Sequence, residues 1–198
     1  TYLARVNSNR KKPMIVLAGK VTGGGSSVNG TYFHRGLPED FDTWASFGNT
    51  EWNYEQVLPY FRKSETDLDF HDEFHGNSGP MPIQRPTRGE WNPVEAAFYD
   101  TCSATGISEA LDSHAPDALG ISPRPLNNFG GIRRSTALTY LSTARNRPNL
   151  TIESNVMVHR LVFDGTQVVG IVGNRNGKEF SAESRQIVLS SGAVESPL

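Results

Sequence analysis

The sequence holds a single cysteine, Cys102, so no disulfide can form within the chain. Placed on a helical stretch, Cys102 is expected to be a small half-buried side chain rather than a reactive thiol. No apolar run approaches the roughly 20 residues that a membrane-spanning helix needs, so no membrane segment is expected in these residues. Neither sign of charge dominates: 19 Lys and Arg against 21 Asp and Glu leave −2 over 198 residues. Nucleic-acid phosphates call for a concentrated basic surface. The densest basic cluster, Arg10, Lys11 and Lys12 with Arg5 nearby, reads as a solvated loop, and no nucleic-acid partner is expected.

Three motifs are also missing. There is no P-loop, no Gly-x-Ser-x-Gly nucleophile elbow and no Gly-x-Gly-x-x-Gly dinucleotide turn. What the chain does hold is a short apolar strand signal, Met14 to Ala18, running into Gly19-Lys20-Val21-Thr22-Gly23-Gly24-Gly25-Ser26-Ser27-Val28-Asn29-Gly30. Consecutive glycines let a polyanion approach the backbone, and a following helical turn offers unpaired amides. Ser26 and Ser27 can add hydroxyl donors. A phosphate or pyrophosphate is the natural guest, although such a string also serves as a plain flexible turn.

Downstream, Pro38-Glu39-Asp40 suits a helix start. Residues 53–65 place Val57, Leu58 and Phe61 on one helical face, with Pro59 marking a first turn or a kink. Residues 68–93 read as an irregular excursion with a short strand at Met81–Ile83. Asn92-Pro93 opens an amphipathic helix bearing Val94, Ala97, Phe98, Thr101 and Cys102, which Gly106 closes. Residues 112–129 read as loop, and Ser135-Thr136 caps a helix over 137–145. The last third is β-branched: 150–153, 156–163, 168–172 and 187–189 read as strands. Asp164-Gly165 and Asn176-Gly177 separate them as turns, giving a meander that feeds a final buried strand. His71 and His75 lie four apart in a Gly- and Pro-bearing stretch, which reads as a surface loop. His34, His114 and His159 read as isolated, so no metal site is expected.

Taken as a whole string, residues 19–30 with Arg35-Gly36, Pro38, Asp40 and Asp42 resemble the first signature of the glucose–methanol–choline oxidoreductases. Further matches follow in order: Trp52-Asn53-Tyr54 with 58–65, Phe74-His75-Gly76 with Gly79-Pro80, and Arg134-Ser135-Thr136-Ala137 with Tyr140-Leu141. Then come Arg147-Pro148-Asn149-Leu150, Val158-x-Arg160-Leu161 with Phe163, and Ser191-Gly192-Ala193 with Ser196-Pro197. The similarity covers nearly the whole chain and leans toward choline-dehydrogenase-like and aryl-alcohol-oxidase-like members.

That resemblance implies an α/β fold, a partial Rossmann-like FAD-binding domain with an inserted α+β cap. Residues 1–36 and 150–198 would form the FAD-binding part, and 37–149 the cap and substrate side. It implies that Gly23, Gly24, Gly25 and Ser26 face the dinucleotide phosphates, that Asn29, Gly30 and Tyr32 lie near the flavin end, that Val158 meets adenine through its backbone, and that Ala193 approaches the cofactor. Against the family pattern, Lys20 stands for an arginine, Thr22 for a bulky apolar residue and Gly25 for a serine. Val28 stands where some choline oxidases attach flavin to a histidine, so non-covalent FAD is expected. The implied activity is oxidation of a primary alcohol by hydride transfer to flavin. The family's ADP-binding turn and catalytic histidine find no counterpart here, so the chain reads as an internal fragment, inactive alone, with no catalytic residue assigned. The alternatives are a non-catalytic module that binds a nucleotide or partner, and an incomplete fold that needs further chain for stability.

Overall fold

In a computed structural model, residues 2–4 and 12–197 are described. Most of the basic cluster (Arg5, Arg10 and Lys11) lies outside them, while Lys12 is exposed. The chain divides into two compact units, residues 1–144 and 145–198.

In the first unit, β1 (Tyr2–Ala4) pairs antiparallel with β2 (Met14–Val16), the strand expected at Met14 to Ala18. It is not a buried strand, because Ile15 is exposed and Leu17 beyond it is 78% exposed. Strand burial comes from a covering layer, and two strands alone present bare faces. Helix α1 (Pro38–Ser46) starts where the Asp40 carboxylate accepts the Leu37 N–H at 2.9 Å. Helix α2 (Tyr54–Ser64) starts where Asn53 Oδ1 accepts the Gln56 N–H at 3.0 Å. Its half-buried face carries Val57, Leu58 and Phe61 as expected, and Pro59 falls inside the helix rather than in its first turn. Phe41 of α1 is buried edge-on against Phe61, with ring centroids 5.4 Å apart.

Directly after α2 comes a strand that the sequence did not announce. β3 (Glu65–Asp67) pairs in parallel with β4 (Met81–Ile83). Alternation along β3 turns Glu65 and Asp67 to one buried face, and along β4 does the same for Met81 and Ile83. Helix α3 (Pro93–Ala104) is capped reciprocally: Asn92 accepts the Val94 and Glu95 N–H groups, and Glu95 accepts the Asn92 N–H. Cys102 on it is half-buried, as expected, but the apolar positions Val94 and Phe98 face outward.

Inside the stretch expected to be loop, β5 (Asn128–Phe129) makes a hairpin with β6 (Ile132–Arg133). Helix α4 covers only Tyr140–Ala144, shorter than expected over 137–145. The Thr139 and Ser142 hydroxyls donate to the carbonyls of Ser135 and Leu138, a local competition that keeps the preceding turn from extending the helix.

The second unit is the expected meander. β7 (Val156–Asp164), β8 (Gln167–Arg175) and β9 (Lys178–Glu183) are antiparallel in that order. The β8–β9 turn is Asn176-Gly177 with φ 53° and 82°, the left-handed pair a two-residue hairpin needs. The strands expected at 150–153 and 187–189 do not form. Val188 is 78% exposed: β-branched residues favour an extended chain, but a strand exists only where a neighbour completes its ladder. Among the described residues, the buried apolar side chains include Phe41, Met81, Ile83 and Pro125, of which Ile83 and Pro125 are fully buried. Much apolar surface is therefore left open.

Candidate functional site

The glycine-serine segment folds as a tight 3-10 turn over Gly24–Ser27. Gly23 enters it at φ 92°, where a side chain would be strained and a Cβ would stand 2.4 Å from Ser27 Oγ. Two hydroxyls knit the turn to itself. Ser26 Oγ donates to the Gly23 carbonyl at 2.5 Å, and Ser27 Oγ donates to the Thr22 carbonyl at 2.9 Å. Both protons are thus used inside the loop, and what the turn offers outward is backbone. At Gly24 and Gly25 a Cβ would meet nothing within 4 Å, so their backbone borders open space. An anion cradle needs that combination of a tight amide turn and no side chains in front of it. The residues fit a dinucleotide pyrophosphate.

Distant residues brace the turn. The Thr136 N–H donates to Ser26 Oγ at 3.0 Å, and Arg133 donates to both the backbone carbonyl and the side chain of Asn29. The following residues run as an extended segment against 125–127: the Phe33 N–H reaches the Pro125 carbonyl, and the Asn127 N–H the Thr31 carbonyl, each at 2.9 Å. Tyr32 is half-exposed, with its hydroxyl 2.7 Å from Arg124 Nη1. Gly23, Gly24, Gly25, Ser26, Asn29, Gly30 and Tyr32 therefore form one continuous surface feature. Val158 lies on β7 of the second unit, partly exposed, beside the bulge between Val158 and Arg160. Ala193 lies in an exposed turn of that unit, after Gly192 at φ 96°.

Beneath the extended segment is a charged core that sequence reasoning did not find. Arg35 Nη2 meets Glu65 Oε1 at 2.5 Å and its Nη1 donates to the Phe74 carbonyl at 2.8 Å. Arg85 Nη1 holds both Asp67 oxygens at 2.9 Å, and its Nη2 holds Asp112 Oδ1 at 3.0 Å. His75 and His114 are both buried, with rings stacked at 6.1 Å. His75 is thus no surface-loop residue and His114 is not isolated. His71 alone keeps the surface position expected for the pair.

The electrostatics follow from this packing. Burial, joined by the Arg35 and Arg85 charges, pushes the His114 pKa down to about 4. Burial also works against protonation of His75, but the Asp112, Asp72 and Asp67 carboxylates outweigh it and raise that pKa. Asp112 is held down at about 2: burial opposes ionisation, while His75, the His114 N–H and Arg85 overcome it. No spacing rule finds such a core, because its members come from 35, 65–75, 85 and 112–114. The one available signal was the density of charge in a stretch with few apolar residues.

The GMC oxidoreductase family matches residues 4–198. A GMC-type oxidoreductase of Rhodococcus erythropolis, encoded in the thcA 5' region, is 39% identical over 197 residues, covering 100% of this chain and 39% of the relative. The oxygen-dependent choline dehydrogenase of Staphylococcus xylosus is 35% identical over 182 residues, covering 90% of this chain and 32% of its own length. The crystal structure of pyridoxine 4-oxidase from Mesorbium loti superposes with a TM-score of 0.86 at 32% identity, covering 91% of this chain and 36% of that one. The chain thus spans less than two fifths of the length of these relatives. The mixed helix and strand architecture agrees with the α/β expectation and with the FAD-binding domain of that solved structure. With its match running from residue 4 to residue 198, the chain belongs to the GMC oxidoreductase family, whose cofactor is FAD.

Proposed function

We propose that this chain is the part of a longer flavoprotein that holds FAD non-covalently for oxidation of a primary alcohol. The single observation that carries the reading is the open backbone at Gly24 and Gly25, in a turn whose own hydroxyls are already paired. In this reading Gly23, Gly24, Gly25 and Ser26 face the pyrophosphate, with the Gly24 N–H held by the Val21 carbonyl at 2.8 Å and the Ser26 N–H by the Gly23 carbonyl at 3.2 Å, so that the close approach rests on the bare backbone of the glycines. Asn29, Gly30 and Tyr32 border the flavin end. Val158 meets the adenine through its backbone and Ala193 approaches the cofactor. Val28 carries no nucleophile, which supports non-covalent attachment. Residues 1–36 and 150–198 then serve as the FAD-binding part and 37–149 as cap and substrate side.

When bound, FAD supplies the hydride acceptor for the carbinol carbon. In this reading the base that takes the hydroxyl proton lies outside residues 1–198, and no histidine of this chain is assigned that role. The buried histidines point into the charged core, one against the Phe33 carbonyl and one against Asp72. The relatives named for choline and pyridoxine oxidation support a small primary alcohol as substrate.

The test is anaerobic addition of primary alcohols, choline and pyridoxine among them, to the flavin-loaded protein in its full native length. Bleaching of the flavin absorption band by one of them, with one aldehyde formed per flavin, is the expected result. A flavin that stays oxidised with every alcohol and is reduced by NADPH would overturn the reading.

A further inference from the structure

Each buried histidine has one ring nitrogen already committed. His75 Nδ1 faces Asp72 Oδ1 at 2.7 Å, and His114 Nε2 faces the Phe33 carbonyl at 2.8 Å. A carbonyl accepts and cannot donate, so the His114 proton is on Nε2 and its lone pair on Nδ1. In the same way the Asp72 carboxylate fixes a proton on His75 Nδ1, leaving the lone pair of the neutral ring on Nε2. Both of those atoms, His75 Nε2 and His114 Nδ1, are buried without a hydrogen-bond partner. The residues converge: one ring nitrogen of each histidine and one carboxylate oxygen of Asp67 lie within 4.8 Å of one another. Asp112 Oδ2, also buried and without a partner, is 3.4 Å from His75 Nε2.

The spacing distinguishes two uses of these groups. A direct ion pair between imidazolium and carboxylate closes to about 2.7–2.9 Å. His75 Nε2 instead stands 3.6 Å from Asp67 Oδ2 and 3.4 Å from Asp112 Oδ2. With metal–ligand bonds of about 2.0–2.1 Å, the edge of a coordination tetrahedron is roughly 3.3–3.4 Å. The two carboxylates are therefore spaced from the imidazole much as fellow ligands are, and a His114 ring nitrogen lies within 4.8 Å of the His75 and Asp67 donors. The other ring nitrogens show the carboxylate and carbonyl contacts that orient metal-bound histidines.

Charge points the same way. Glu65, Asp67, Asp69, Asp72 and Asp112 bring five negative charges, and Arg35 and Arg85 bring two positive ones, a balance of −3 with both imidazoles neutral. A divalent ion reduces that to −1, with Asp69 and Asp72 partly exposed to solvent at the rim and the rest enclosed. Arg85 is the counterweight, since its Nη1 already shares Asp67; Oδ1 also accepts the Asp69 and Phe70 N–H groups, and Oδ2 keeps a second lone pair.

We infer that Asp67, His75, His114 and Asp112 form a closed two-histidine, two-carboxylate site for a divalent first-row cation of the Zn(II) type. Such an ion would tie the end of β3 and the 72–76 turn to the 112–114 loop. It would thereby fix the Thr31–Arg35 segment that continues from the glycine turn. Its role is structural, since the four ligands leave no open position.

The test is a titration of the full chain, stripped with a chelator, with Co(II) while the visible d–d bands are recorded. One equivalent of cobalt with bands of tetrahedral intensity, displaced by Zn(II), is expected. His114→Gln should weaken binding at least tenfold, and His71→Ala, on the exposed neighbour, should leave it unchanged. X-ray absorption fine structure on the zinc form of the unmutated chain should show two imidazole scatterers, a readout that needs no variant to fold. No saturable cobalt binding, oxygen scatterers alone, equal affinity in His114→Gln, or loss in His71→Ala would each overturn the inference.

Discussion

The hydroxyl of Ser26 accepts the N–H of Thr136 at 3.0 Å while donating to the carbonyl of Gly23 at 2.5 Å, so residues 110 positions apart close one turn. Ser26→Ala removes both bonds and leaves the Thr136 amide without this partner. A loss of about 1–2 kcal/mol is expected, which denaturant melts would read as a lower midpoint at unchanged slope. Thr136→Ala keeps the backbone N–H and should cost less. Equal losses in the two would place the Thr136 hydroxyl, not its amide, in the closing role.

The glycines of this turn separate folding from binding. Gly23 needs its left-handed backbone, so Gly23→Ala is expected to destabilise the turn by about 1 kcal/mol or more. Gly25 has no positive φ, and a Cβ there meets nothing within 4 Å. Gly25→Asp should therefore melt like the parent while repelling a pyrophosphate. Circular dichroism melts beside flavin titrations check the pair, and a Gly25→Asp protein that unfolds would contradict the open cradle.

Arg35 and Glu65 form a buried ion pair in which Glu65 also accepts the Gly76 N–H at 3.1 Å. Removing one partner leaves an uncompensated buried charge. Arg35→Met is expected to lose about 3–5 kcal/mol, while Arg35→Met with Glu65→Leu should recover part of that loss. A double-mutant cycle by urea unfolding reads the coupling, and simple additivity would show that the pair does not act as a unit.

The buried histidines give the metal-free protein opposing pH limbs. With His114 lowered to about 4, the unfolded chain binds a proton there that the fold refuses. Stability should therefore rise from pH 4 to about 6.5, by about 3 kcal/mol. His75 is raised, so its contribution is complete below about 6.5 and is lost as pH climbs through its folded value. Urea melts of chelator-treated protein should show greatest stability near pH 6.5. In His114→Gln the acid limb should flatten.

The sequence carried the local devices well. Asn92-Pro93 as a helix start, Asn176-Gly177 as a hairpin turn and the β-branched runs of β7 and β8 are each decided by a few neighbouring residues, and they appear where expected. What it did not carry depends on partners far away in the chain. β3 exists because Met81–Ile83 lies alongside, and Glu65 and Asp67 are buried because Arg35 and Arg85 reach them. Residues 187–189 have strand composition, but no ladder forms there. The glycine turn was visible as a string, while the fate of its hydroxyls was not: whether Ser26 points outward depends on Thr136.

The most direct measurement of the central claim is flavin retention by the protein in its full native length. The parent and Gly25→Asp would be incubated with FAD, passed through gel filtration and read by visible absorption. A flavin band that co-elutes with the parent, is released intact on denaturation and falls at least tenfold in Gly25→Asp is the expected result. Equal flavin in both proteins, or flavin that stays attached to the denatured chain, would contradict non-covalent binding at the glycine turn.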